Sequence, residues 1–484
     1  MTRRDALAAI AGFLGAAAAA ACGSPGKAGA DGGGGRPDSG GRPDAAPPDA
    51  QPIDAQPIDA AEEACPTSTL SAEELLAGID TFVVLCMENR SFDHYLGSLS
   101  LIEGRAEVDG LTGSESNPDP DGNPVGVHVL DTFTPADPPH SWGPCHDQWD
   151  DGANDGFVKA HAGSSQDDVM GYYLRWQLPI TYALADQAAL CDRWHCSLLG
   201  PTWPNRFYLH GATSMGQKGN LPVAGFTSIF SRLNDAGVSN MNYHQGVAWA
   251  TGGYLKLDNL AGIDSFFDAA AAGTLPQFSL IDPQFYGNGA NDDHPDHDVR
   301  MGQALIASVV AALAQSPQWE RCLLAITYDE HGGFFDHVSP PECVDEREEF
   351  QRLGFRVPGI VVGPHVKRGC VVHDLLEHVS VAATLTRRFG LEPLNDRVAA
   401  TADLSVCIDE RRLSDPLAPP VLPPVPMSRV AWRQRPPSTA HAELAQVLDQ
   451  LHLPPEIDGR AQADAITERF LARAEKLGAI RFID

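Results

Sequence analysis

Two apolar runs of strand length end on acids. TFVVLCM, from Thr81 to Met87, runs into Glu88 and Asn89, and CLLAITY, from Cys322 to Tyr328, runs into Asp329 and Glu330. Three carboxylates and an amide meeting at one place repel one another unless a cation lies between them. Oxygen ligands of this kind suit a single divalent ion, Ca²⁺, Mg²⁺ or Mn²⁺, with Zn²⁺ also compatible. The spacing alone is equally compatible with two unrelated solvated loops. A third element, GPTWPNRFYLHGA from Gly200 to Ala212, places Thr202 between two prolines with Arg206 four residues on. A threonine hydroxyl becomes a nucleophile only when a metal or base lowers its pKa. The plain alternative is a turn residue that caps the next helix. Histidines gather in NDDHPDHDVR (His294 and His297) and PPHSWGPCHDQW (His140 and His146), and His244 lies in MNYHQ. By composition each of them serves equally as a hydrogen-bonded surface residue or as an acid–base group.

These residues need elements to position them. PQFSLID from Pro276 and VPGIVVG from Val357 have strand length and composition, and Val299 to Ser316 repeats apolar residues at three and four, which predicts a helix. Strand, helix, strand implies a mostly parallel central sheet flanked by helices, an α/β fold, with loop-rich insertions such as Gly104 to Gly171. Acids at strand ends then have a reason to be there, since ligands bind outside the carboxyl ends of strands in open α/β sheets. The catalytic domain is expected over 65–414. Residues 415–484 read as a Pro-rich connector, DPLAPPVLPPVPMSR, followed by two helices near Ala440 to Leu451 and Gln462 to Leu477, a small packing appendage.

The chain has 484 residues and a net charge of −30, from 64 acids against 34 bases. That balance disfavours nucleic acid as a partner. Ten cysteines are present, and with Cys22 set aside nine remain, so at least one thiol is free or intermolecular. Cys86 and Cys322, in apolar runs, read as core residues.

Residues 1–22 read as a signal peptide, with Arg3 and Arg4 ahead of an apolar stretch too short to span a bilayer well. AAAAC, ending at Cys22, resembles a bacterial lipobox, which implies lipidation of Cys22, and the arginine pair resembles a twin-arginine export signal. Residues 23–64, built from Gly, Pro, Asp and Ala with a repeated QPIDA, predict a disordered tether. The expected location is therefore exported and membrane-anchored, at the periplasm or cell surface, with the membrane as partner through the lipid.

ENRSFDHYLG at Glu88, PTWPNR at Pro201, HPDHD at His294, SPQWERCLLAITYDEHGGFFDHVSPP at Ser316 and RVPGIVVGP at Arg356 together resemble the bacterial and plant phosphoesterase family of non-specific phospholipases C and acid phosphatases, from Thr81 to about Leu391. The resemblance implies an alkaline-phosphatase-like fold with one divalent metal on Glu88, Asn89, Asp329, Glu330 and Thr202. It makes Thr202 the nucleophile and His294, with His140 and His244, the histidines near phosphate. Arg206, His297, Asp336 and His337 are expected further back, in support. The implied activity is phosphate-ester hydrolysis through a phosphothreonine, with a phospholipid substrate as the first expectation and a small monoester, as in an acid phosphatase, as the alternative. Asp329-Glu330 and Thr202 stand where one acid phosphatase has Asp-Asp and Ser, which favours the phospholipase side. No large C-terminal β domain of the kind found in phosphocholine-specific relatives is legible, so the head group stays open. The TxPNR turn also resembles the sulfatase CxPxR segment, but threonine cannot be oxidised to formylglycine. A non-catalytic surface lipoprotein is the remaining alternative.

Overall fold

Thr81–Met87 carries no polar residue that would tolerate solvent on a face, and all seven residues are buried. A strand apolar on both sides has to lie inside a sheet covered on both faces. In the computed structural model, which describes residues 65–484 apart from 162, 164, 436 and 437, it does so. We number the eight strands of the central sheet β1 (Thr81–Met87), β2 (Ala189–Cys191), β3 (Asn240–His244), β4 (Leu260–Gly262), β5 (Phe278–Asp282), β6 (Cys322–Tyr328), β7 (Gly359–Val362) and β8 (Cys370–Val372). Their order across the sheet is β8-β2-β7-β6-β1-β5-β3-β4. Every neighbouring pair is parallel except those made by β7, which runs against both β6 and β2. The expected mostly parallel α/β sheet is therefore observed.

Register fixes where the chemistry falls. Met87 pairs with Tyr328, and the Asp329 amide donates to the Met87 carbonyl at 3.0 Å, so Glu88-Asn89 and Asp329-Glu330 leave the sheet side by side. Asp282 ends β5 on the other flank of β1. The crossover between β5 and β6 is α3 (Val299–Ala314), started by Asp298, whose side chain accepts the Arg300 amide. Its apolar positions are almost all buried, and each large aliphatic side chain so placed contributes about 1.5–3 kcal/mol.

Two shorter helices carry motif residues. In α1 (Phe92–Leu96), Ser91 caps the first turn by accepting the His94 amide. In α2 (Thr202–Gly211), Pro201 is the capping residue and Thr202 the first helical one. Two prolines are tolerated there because the first turn of a helix has no use for their missing amides.

The C-terminal region contains the two expected helices, α4 (Ala442–Leu451) and α5 (Ala463–Leu477). A short parallel pair, Val425–Met427 with Ile480–Phe482, ties the region's two ends together. Leu444, Val447, Leu448 and Leu451 of α4 form one apolar face. That face packs against Trp203, Phe207, Trp249 and Phe285. The insertion between Gly104 and Gly171 holds short helices and small two-stranded pairings. All nine cysteines among the described residues are free thiols, and Cys86 and Cys322 are buried in the core as expected. No helix among the described residues is long and apolar enough to cross a membrane. Cys22, the signal peptide and the tether lie outside the described residues.

Candidate active site

The polar half of ENRSFDHYLG is explained by what it holds. Asn89 has φ 55°, the left-handed region that Asn enters more readily than most residues. That bend turns its amide N–H onto Asp329 Oδ1 at 3.1 Å. Arg90 is fully buried, donating from Nε to the Asp293 carbonyl at 2.7 Å. Asp93 pairs with Arg356 at 3.0 Å. Across the sheet edge, the DEHGG turn passes so close that a Cβ on Gly332, at φ +66°, would lie 2.1 Å from the Asn89 carbonyl. Glycine is required there for both reasons.

Thr202 is buried, and its hydroxyl does not cap α2. It donates instead toward Glu88 Oε2 at 3.2 Å, with Asn89 Oδ1 at 3.4 Å. Four residues on, one helical turn later, Arg206 enters the same cluster with no solvent exposure. It reaches Glu88 Oε1 at 2.5 Å, Asp282 Oδ1 at 3.2 Å and Asp329 Oδ2 at 3.2 Å. Its guanidinium also lies over the Phe285 ring at 5.4 Å. His378 donates from Nε2 to the Asp329 carbonyl at 2.6 Å.

The electrostatics follow from burial. Burial pushes Glu88 well above the usual carboxylate range, only partly opposed by Arg206. Burial likewise lifts Asp329 to about 6, against the pull of Arg206 and with Glu330 adding to the rise. Four buried carboxylates, Glu88, Asp282, Asp329 and Glu330, gather here; Arg206 pairs with the first three, and Glu330 Oε1, 3.6 Å from His140 Nε2, has no hydrogen-bond partner among the described residues. An excess of buried negative charge, oxygen donors from two adjacent strand ends and an unsatisfied carboxylate oxygen fit a hard divalent cation. Glu88, His294 and His441 also offer ligand atoms within 4.8 Å of one another.

The histidines divide. His140 lies with Nε2 3.6 Å from Glu330 Oε1 and 3.3 Å from the Asn89 amide nitrogen, while Nδ1 donates to the Pro138 carbonyl at 2.7 Å. Burial works against its charge, but Glu330 and Asp137 outweigh burial and hold its pKa at about 9. The ring thus has a partner in either state: Glu330 when protonated, the Asn89 N–H when neutral. His294 is packed edge-on against His140 at 5.9 Å. Burial, then His441, hold His294 well below its ordinary value. Its Nδ1 donates to the Pro295 carbonyl at 2.9 Å, which leaves Nε2 as an acceptor.

The remaining expected residues stand farther back. His297 Nδ1 donates to Asp292 Oδ1 at 2.6 Å. Asp336 and His337 sit on Asp93 and Arg356, behind α1, with His337 Nδ1 2.6 Å from Asp93 Oδ2 and Asp336 Oδ1 2.8 Å from Arg356 Nε. His244 ends β3, buried with an unpartnered Nδ1, and burial lowers its pKa to about 4. In the sheet register His244 lies beside Asp282, the partner of Arg206.

Three residues at the site were not singled out in the sequence. Asp282 shares Arg206 with Glu88 and Asp329. Asp292 accepts the His294 amide at 3.2 Å and gives its carbonyl to the Glu88 amide at 2.7 Å. His441, from the C-terminal region, donates from Nε2 to Asp292 Oδ2 at 2.7 Å. Asp282 and Asp292 lie within motifs already quoted and carry a readable signal. A single histidine ahead of an amphipathic helix carries none.

Non-specific phospholipase C1 of Arabidopsis thaliana is 35% identical over 428 residues, covering 77% of this chain and 79% of that protein. Non-specific phospholipase C6 of the same plant is 36% identical over 356 residues, covering 65% and 68%. Phospholipase C A of Mycobacterium tuberculosis (strain ATCC 25618 / H37Rv) is 33% identical over 387 residues, covering 65% and 74%. Among solved structures, a protein in the alkaline phosphatase superfamily from Vibrio parahaemolyticus aligns with TM-score 0.33 and 11% identity over 65% of this chain and 84% of that one. The family model for phosphoesterases matches residues 79–392, a span that takes in the acids, the hydroxyl and the histidines at this sheet edge. With Thr202 set between those acids, the chain belongs to the phosphoesterase family, as a hydrolase of phosphoric esters.

Proposed function

We propose that the protein is a metal-dependent phospholipase C that releases diacylglycerol and a phosphorylated head group through a phosphothreonine intermediate. The observation that carries the reading is Thr202 Oγ1 at 3.2 Å from Glu88 Oε2 and 3.4 Å from Asn89 Oδ1, on the first residue of a helix. A hydroxyl so placed has an acceptor for its proton and a lone pair free, and a helix N-terminus favours the phosphate dianion or diester anion in front of it. Glu88, Asn89, Asp329, Glu330 and Thr202 would hold a divalent cation, which when bound polarises a phosphoryl oxygen and lowers the pKa of the hydroxyl.

The chain's own groups supply the rest. The Thr202 oxygen attacks phosphorus in line as its proton leaves along the bond to Glu88 Oε2, and the bond from phosphorus to the diacylglycerol oxygen breaks with its electron pair on that oxygen. His140, held between Glu330 and Asp137, gives that oxygen a proton. His294, with its proton fixed on Nδ1, accepts one at Nε2 from the water that attacks the phosphothreonine. The bond from phosphorus to Thr202 Oγ1 breaks with its electron pair on Oγ1, which takes back the proton held by Glu88 Oε2. The proton gained by His294 then balances the one His140 gave up, by exchange with solvent. Two inversions give retention at phosphorus. The acid and base roles are thus divided between His140 and His294. Arg206 holds Glu88 and Asp329 apart at fixed positions, and His297, through Asp292, supports the loop that carries His294.

The phospholipid reading is supported by the names of the relatives, each a phospholipase C. An exported lipoprotein is supported by the AAAAC motif at Cys22. The test is kcat/KM for a phospholipid in mixed micelles against a phosphate monoester, with Thr202→Ala as the blank. Thr202→Ala abolishes both activities and Thr202→Ser keeps much of the rate, since it retains the oxygen. A monoester preference above about tenfold, equal to about 1.4 kcal/mol of transition-state discrimination, assigns an acid phosphatase instead.

A further inference from the structure

The C-terminal region does more than cover an apolar face. Its residue His441 stands at the entry of α4 with φ 59° and ψ 30°, a left-handed conformation that costs a non-glycine residue energy and persists where its surroundings enforce it. The surroundings are specific. The Tyr286 hydroxyl donates to the His441 carbonyl at 3.1 Å, and the ring packs edge-on against Phe285 at 4.9 Å and His294 at 4.7 Å. Nε2 donates to Asp292 Oδ2 at 2.7 Å.

Asp292 is the hub of the histidine side of the site. Its two carboxylate oxygens take His297 Nδ1–H, the His294 amide and His441 Nε2–H, and its carbonyl takes the Glu88 amide. Of these donors His441 alone comes from outside the 281–300 and 81–90 segments, 149 residues away in sequence. A buried carboxylate that loses one of three donors re-aims toward the other two. Here the other two belong to His297 and His294.

We infer that His441 is a positioning residue of the active site, supplied by the C-terminal region, which acts through Asp292 to hold His294 and Glu88 in working geometry. The inference rests on the phosphoesterase reading of that site and extends the catalytic unit past residue 414. Removal of a hydrogen-bond partner behind a first ring of ligands characteristically lowers activity about 10- to 100-fold. His441→Ala in the full chain is therefore expected to lower kcat by that factor with KM changed less than threefold. His441→Gln, whose amide can still donate to Asp292, stays within a few-fold of wild type, and added imidazole restores part of the rate of His441→Ala.

A readout independent of turnover accompanies these. In ¹⁵N-histidine-labelled protein, His441→Ala shifts the ring signals of His294 and His297 and leaves those of His195 and His365 in place. The inference is overturned if His441→Ala keeps kcat within twofold, if Ala and Gln are equally impaired with no imidazole rescue, or if the His294 and His297 signals do not move. Failure of the underlying reading looks different: Thr202→Ala then retains wild-type turnover, while the ring signals still report whether His441 orders Asp292.

Discussion

Arg206→Met tests the charge account of the site most directly. Arg206 is fully buried and is the shared cation of Glu88, Asp282 and Asp329. Methionine keeps an apolar, unbranched side chain at the position and removes the charged fork that lies over Trp249 and Phe285. Removing one partner of a buried ion pair costs about 3–5 kcal/mol, because a buried charge is left uncompensated. Here three carboxylates lose their common partner, so the upper part of that range applies. At about 2.1 cal/mol/K per residue over roughly 400 ordered residues, the unfolding entropy is about 0.8 kcal/mol/K, and the loss appears as a melting point lower by about 5–6 °C. The assay is thermal and urea unfolding of wild type and variant in excess chelator and again with Ca²⁺, Mg²⁺, Mn²⁺ or Zn²⁺. In chelator the full deficit appears, and it is insensitive to ionic strength because the groups are buried. With the ion that the site takes, the deficit narrows, since the cation compensates the same acids. Arg206→Lys recovers little, because one ammonium cannot meet three carboxylates in the geometry of a fork. Adding Asp282→Asn to Arg206→Met recovers stability, as it removes one of the stranded charges. A deficit below about 1 kcal/mol in chelator would refute the account, and so would full function of the lysine variant.

Chelation should abolish turnover reversibly, and Glu88→Ala or Asp329→Ala should lower metal stoichiometry measured on purified protein; full activity without metal would sink the assigned ligand set. Cys22→Ser should move the protein from the membrane fraction to the soluble exported fraction, and unchanged partitioning would remove the lipoprotein proposal. Burial, assisted by Arg356 and Arg193, depresses His195 to about 3 despite its hydrogen bond to the Gly354 carbonyl. Its folded pKa lies below the unfolded value of about 6.5, so the unfolded chain takes up the proton first and stability falls as pH drops through that window, by at most about 1.4 kcal/mol per pH unit. His195→Gln should flatten that limb of the stability–pH curve, and an unchanged slope would assign the acid sensitivity elsewhere.

The sheet edge was legible because apolar runs that stop on acids state both where a strand ends and what it carries, as at Met87-Glu88 and Tyr328-Asp329. Direction was less legible. The run at Val357 has strand composition, but an apolar strand reads alike either way, and Gly359–Val362 proves antiparallel. The two prolines around Thr202 suggested a turn. They lie instead in the cap and first turn of a helix, which puts Thr202 and Arg206 one turn apart on the same side. Composition left each histidine open, and only the family resemblance put His294, His140 and His244 near the phosphate; the position of His244 at the end of β3, beside Asp282, depends on strand order across the sheet, which no local pattern states. His441 was beyond reach of local pattern, since its meaning lies entirely in a partner 149 residues earlier.

The short strand pair that closes the C-terminal region, Val425–Met427 with Ile480–Phe482, has a consequence for timing. The contacts that make the site span long stretches of chain, 114 residues from Glu88 to Thr202, 240 from Asn89 to Asp329 and 149 from Asp292 to His441. Long-range contacts form late, because the loop entropy of closing them must be met first. Synthesis runs from the amino end, so the sheet edge, the nucleophile and the histidine loop exist before His441 does, and the strand Ile480–Phe482 that fastens His441's region follows later still. The hydrogen bond from His441 to Asp292 is thus among the last contacts of the site to form, and the histidine side of the site takes its final geometry only once the C-terminal region has docked.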